Sequence, residues 1–118
     1  MLTFILKKEW FEKIKNGEKT HEYREMSKLW QKRLIPPNFW MSVYDNLNIP
    51  ITDETRFCKF HLGYPPTRKN PEKARERVLY AEIIKITANV DGQKTDLVKI
   101  NPYVEDVFDI EFKLLSDD

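Results

Sequence analysis

The segment Gly17-Glu18-Lys19-Thr20-His21-Glu22-Tyr23-Arg24 places a Lys, a Glu and an Arg within six residues. On a strand, alternation puts Thr20, Glu22 and Arg24 on one face and His21 and Tyr23 on the other, with Lys19 at the strand's mouth beside a flexible Gly. Lys19 and Arg24 in such a cluster suit a phosphate or a carboxylate. Glu22 can hold the Arg fork, accept a hydrogen bond from a base edge, or move a proton. The same trio also describes a solvated strand face whose ion pair contributes roughly 0–1 kcal/mol. Residue types alone leave both readings open.

The flanking sequence supplies the elements that must position these groups. Leu2 to Leu6 is a β-prone run, read as a buried first strand. Lys7 to Asn16 switches to helical period, with Trp10, Phe11 and Ile14 on one face and Gly17 as the stop. Ser27 is placed to cap a short helix carrying Leu29, Trp30 and Leu34, which Pro36-Pro37 must end. The spacing of Trp40, Val43, Tyr44 and Leu47 predicts another helix from Asn38 to Asn48. Arg56 to Leu62 reads as a strand with Cys58, Phe60 and Leu62 facing the core, broken by Gly63-Tyr64-Pro65-Pro66.

Thr67 to Arg77 is polar and strongly basic, and fits either a solvated loop or one helical turn opened by Asn70-Pro71-Glu72. Val78 to Val90 is the longest strand candidate, apolar on both faces and so expected in the middle of the sheet. Asp91-Gly92 reads as a hairpin-type turn. The last strand points Phe108, Ile110, Phe112 and Leu114 inward. The expected class is α+β, with about five or six mostly antiparallel strands curled into a small β-barrel and helices in the first half.

Composition bounds the alternatives. A chain of 118 residues and 14.2 kDa is one domain, residues 1–118, able to fold without staples. With 41% apolar and 13% aromatic residues, the composition argues against intrinsic disorder. A single cysteine, Cys58, forbids an internal disulfide. Cys58, His21 and His61 are too few and too scattered for a Cys/His zinc site. No cofactor, metal or organic, is called for. No apolar run approaches transmembrane length, and Met1 to Glu9 lacks a signal peptide's order, so a cytoplasmic protein away from membranes is the expectation. Residues 1–77 carry 16 Lys/Arg against 10 Asp/Glu, whereas residues 78–118 carry 4 against 9. That asymmetry points weakly to a polyanion-binding face, although two halves that neutralise each other in space would give the same arithmetic. The sequence pI of 7.8 is below that of a dedicated nucleic-acid-binding domain.

The spacing Gly17-x-Lys19-x-x-Glu22-x-Arg24, following a strand and an amphipathic helix, resembles the GxKxxExR signature of the ASCH (activating signal cointegrator homology) domain, a member of the PUA-like superfamily. The opening Phe4 to Gly17 fits that family's start. Glu22-Tyr-Arg-Glu25 followed by Trp30 and Lys32-Arg33-Leu34 is similar to its small stand-alone bacterial and phage members. Phe60-His-Leu-Gly63-Tyr64, the long strand and Phe108-Asp-Ile-Glu-Phe112 keep the family's order, so the resemblance covers nearly the whole chain. It implies a PUA-like β-barrel with flanking helices and a cleft, lined by Gly17, Lys19, Glu22 and Arg24, that binds RNA or a nucleotide. Some members are enzymes that deacylate a modified cytidine nucleoside or cleave RNA. In the deacylating branch a catalytic Thr stands three residues after the motif Lys. This chain has Glu22 there, which ranks a hydrolase second.

Further candidates follow from the same pass. Arg33, Arg68 and Lys69 would add phosphate contacts, and Tyr64, in a turn where burial is harder, would stack on a base. Tyr23 and Trp30 offer a stacking surface, although their periods equally suit core packing. His61 is a candidate proton donor or a hydrogen-bonded surface His. Cys58 alternates with core residues and reads as a small buried hydrophobe. If the chain is an enzyme, Lys19, Glu22 and Arg24 are the catalytic set, with Lys19 or Glu22 activating water and Arg24 stabilising developing negative charge. A third class, a protein-interaction adaptor, would rest on Trp40, Tyr44 and the basic stretch.

Overall fold

A computed structural model of the chain describes residues 1–63 and 76–115. Strand β1 (Leu2–Leu6) leads into helix α1 (Lys8–Lys15), strand β2 (His21–Glu25), helix α2 (Lys28–Leu34) and a short strand β3 (Leu47–Ile49). Strands β4 (Phe57–Leu62), β5 (Val78–Asp91) and β6 (Asp106–Leu114) follow, with two 3-10 turns, Gly92–Lys94 and Asp96–Lys99, between the last two. The strand order is β1-β4-β5-β6-β2, with β3 paired to β5 off that path.

The expected α+β class is what forms, but the sheet is mixed and curls as a half-barrel instead of closing. β1 pairs β4 in parallel, and every other pairing described is antiparallel. β5 is the organising strand. Its first half pairs β4, its second half pairs β3 along the same edge, and β6 runs down its other edge. Register shifts at Ile83/Lys85 and Thr87/Val90 bulge it against β6, and bulges raise the local twist that curls a sheet. The two ends of the path, β1 and β2, therefore face each other without pairing.

The inward residues of β6 are as alternation requires: Phe108, Ile110 and Phe112 are buried, with Cys58, Phe60, Phe11 and Ile14 among their core neighbours. α2 begins as expected, its Trp30 amide donating to the Ser27 hydroxyl. It ends at Leu34 because Ile35, which precedes a proline, is extended.

Two expectations fail for local reasons. The predicted helix at 38–48 does not form. Asn38 and Asn46 adopt left-handed backbone, φ 66° and 54°, and the Asn89 amide donates to the Ser42 and Tyr44 carbonyls at 2.9 and 2.8 Å, holding the segment in an irregular path. The apolar spacing matched a helix, but Asn, Ser and Asp side chains and a tertiary clamp on the backbone favoured another conformation. Asp91-Gly92 is also no tight hairpin. The Asp91 carboxylate instead accepts from the Gln93 amide and opens a 3-10 turn. Gly92 lies where a Cβ would collide with the Glu105 carbonyl oxygen, so the returning chain passes directly over it.

Candidate functional site

Lys19 owes its position to the end of α1. Gly17 takes φ +79°, its amide donates to the Ile14 carbonyl, and the Glu18 amide reaches back to the Lys13 carbonyl. This is a Schellman ending, which needs a left-handed residue at the Gly17 position. The Lys19 amide donates to the same Lys13 carbonyl at 3.1 Å, turning the chain into β2. Glu22 and Arg24 then project from β2, which is fixed to β6 by the pairs Glu22–Ile110 and Arg24–Phe108.

These side chains line a cleft of about 380 Å³ at the open side of the half-barrel. Ile5, Leu6 and Lys7 form one wall at the end of β1, and Glu22 to Glu25 form the opposite wall. Trp10 of α1, Ser27 and Trp30 around α2, Asp96 and Leu97 of the second 3-10 turn, and Ile100 just after it complete it. The volume falls in the lower part of the range of about 300–1,000 Å³ typical of small-molecule sites.

The Lys19 ammonium sits 3.3 Å from Asp96 Oδ2 and 3.9 Å from Glu22 Oε1, with the ring centroids of Trp10 and Tyr23 at 4.6 and 5.6 Å. Arg24 spans the gap between the unpaired edges, its Nη2 donating to the Ile5 carbonyl at 3.3 Å. Its guanidinium lies over Phe4 and Trp30, 5.3 and 5.1 Å from their centroids, a geometry in which a cation meets the negative ring face. Phe4 and Trp30 stack at 5.1 Å, carrying the aromatic wall directly into the core.

Glu22 is only 5% exposed. Its Oε1 accepts from the Tyr23 amide at 3.1 Å, and its Oε2 has no partner, nor does Nε of Arg24. Burial pushes the Glu22 carboxyl above its ordinary value, and outweighs the opposing pull of Lys19, Arg24 and the Tyr23 amide. Burial likewise raises the Tyr23 phenol and lowers the Arg24 guanidinium, the latter against support from Glu22.

The other sequence candidates fall in several places. Gly17 shapes the turn but does not line the cleft, and Arg33 sits outside it, over the Trp30 ring at 5.2 Å. Tyr64, Arg68, Lys69 and the predicted turn at Asn70-Pro71-Glu72 lie outside the described residues. Arg77, at the end of the basic stretch, donates to the Leu62 carbonyl at 2.7 Å. His61 is buried, with Nδ1 donating to the Gly63 carbonyl at 2.6 Å. Cys58 is fully buried and its thiol is pushed up to about 12, firstly by burial and then by Glu22. Tyr23 and Trp30, left between stacking and packing, are half-buried and line the cleft.

Sequence reasoning missed Trp10, assigned to the core face of α1, and the whole contribution of the second 3-10 turn. Asp96 stands 77 positions from Lys19, and no local pattern joins the two. Among the described residues, no group of three or more His, Cys, Asp or Glu side chains is arranged to hold a metal ion, and no helix is long and apolar enough to cross a membrane. The chain matches no family model, no curated protein and no solved structure.

Proposed function

We propose that the chain is a PUA-like domain of the ASCH type that binds RNA or a nucleotide in the cleft between β1 and β2, acting in the cytoplasm. One observation carries this reading: the three ionisable residues of the GxKxxExR spacing, Lys19, Glu22 and Arg24, converge on a single cleft whose lining also includes Trp10, Tyr23 and Trp30. Charged groups that orient a ligand, beside aromatic faces on which a base stacks, are the usual means of recognising unpaired nucleotides. The test is fluorescence anisotropy with a labelled single-stranded RNA across several salt concentrations. Binding is expected to fall with salt and to weaken roughly tenfold or more in Lys19→Ala and in Arg24→Ala, the loss of a hydrogen bond to a charged group. Unchanged affinity in both variants would sink the cleft reading.

A second reading, a hydrolase acting on an acylated cytidine or on RNA, is favoured by the buried Glu22 carboxyl, which has one unpartnered oxygen and an ammonium 3.9 Å from the other. A carboxyl raised by burial is suited to proton transfer. Incubation with acylated cytidine and with unstructured RNA decides it, and turnover no greater than that of Lys19→Ala rejects it.

A further inference from the structure

Resting on the nucleotide reading, we infer that Asp96 is a built-in anion that occupies the Lys19 site and keeps phosphate out, so that the cleft accepts an uncharged nucleobase and leaves phosphate at the rim.

The relative placement of the two side chains carries this. Lys19 is 11% exposed in its side chain and Asp96 is 42% exposed. Asp96 is therefore the more accessible of the two, and its carboxylate already holds the ammonium at 3.3 Å, the contact a phosphate would have to make. A phosphate would have to displace Asp96 or lie against it as a like charge, and like-charge juxtaposition is a means of rejecting wrong partners. The remaining surroundings of the ammonium are Glu22 and the rings of Trp10 and Tyr23.

Arg24 is partly engaged by the protein itself. One nitrogen is bonded to the Ile5 carbonyl, its plane lies over two aromatic rings, and Nε faces Glu22 at 4.0 Å. Across the whole lining, Lys7, Lys19 and Arg24 are matched by Glu22, Glu25 and Asp96. The lining thus carries no surplus of positive charge to hold a phosphate, whereas the rings of Trp10, Tyr23 and Trp30 offer faces for an uncharged base.

The experiment titrates the wild type and Asp96→Asn with the four ribonucleosides, their 5′-monophosphates and inorganic phosphate, following tryptophan fluorescence. Asp96→Asn is nearly isosteric, and the Thr95 hydroxyl that accepts from the Leu97 amide at the start of this turn is retained; an unchanged unfolding midpoint verifies the fold. The wild type is expected to bind a nucleoside and its monophosphate within about threefold of each other, and inorganic phosphate negligibly. Asp96→Asn is expected to gain roughly tenfold or more for phosphate and monophosphate, on the scale of one removed like charge, and so to raise the preference for monophosphate over nucleoside above that of the wild type. That gain should vanish in Asp96→Asn/Lys19→Gln. Equal phosphate affinity in the wild type and Asp96→Asn, or a wild-type preference for monophosphate over nucleoside above about tenfold, overturns the inference. If the wild type binds neither nucleoside nor RNA while Asp96→Asn still gains phosphate, Asp96's exclusion of anions stands and the nucleotide reading falls.

Discussion

At Glu22, burial and two cations pull one titration in opposite directions, and burial prevails. The folded pKa is raised above the ordinary 4.5, so the folded state holds the proton more tightly than the unfolded chain does. Its contribution to stability is therefore fully present below about 4.5 and is lost as pH rises through the folded value. Glu22→Gln removes the titration. Its stability relative to the wild type should rise with pH across that window, as measured by urea unfolding at a series of pH values. A difference independent of pH would show that Glu22 titrates normally. Cys58 gives a second prediction at this scale. A buried thiol raised to about 12 should resist iodoacetamide at pH 8 and react only as fast as the protein unfolds; fast labelling of the native protein would contradict that burial. The trio Lys19, Glu22 and Arg24 was legible in the sequence because strand alternation is local. Asp96 was not, because its partnership with Lys19 exists only once β5 and β6 are in place.

Among the elements, the ends of the helices matter more to the site than their middles. Gly17→Ala forces an L side chain into φ +79°, yet nothing stands within 4 Å of where its Cβ would be. The loss should be pure backbone strain, about 1–2 kcal/mol, read by chemical denaturation. A much larger loss would mean that the turn before Lys19 rearranges. Ser27→Ala removes the hydroxyl that accepts the Trp30 amide and should cost about 0.5–2 kcal/mol, loosening the ring on which Arg24 and Arg33 rest. Both caps were readable from residue type and position. The segment at 38–48 was misread because its deciding contact is Asn89 of β5, which lies 47 and 45 positions from the Ser42 and Tyr44 carbonyls it holds. Trp40, Val43 and Tyr44 are left 88%, 95% and 77% exposed.

For the whole molecule, connectivity is the dominant fact. β1 finds its partner in β4, and β2 pairs, among the described residues, with β6 alone, His21 opposite Glu111. Loops of such length must close before their contacts form, so folding should fall in the millisecond-to-second range usual for non-local topologies. Stopped-flow tryptophan fluorescence checks this, and microsecond refolding would be inconsistent with the pairing. A central β5 and a terminal amphipathic β6 could be read from hydropathy, but neither the parallel β1–β4 pair nor the open side that makes the cleft leaves a trace in any short window.

The β2–β6 pairing also sets an order of events during synthesis. At about 5–20 residues per second, the motif strand leaves the ribosome several seconds before the strand that must hold it. Through that interval Lys19, Glu22 and Arg24 belong to a chain segment with no sheet to join. The cleft is therefore among the last features to assemble on the nascent chain, and a truncated product that stops within residues 92–105 carries the entire motif without a site.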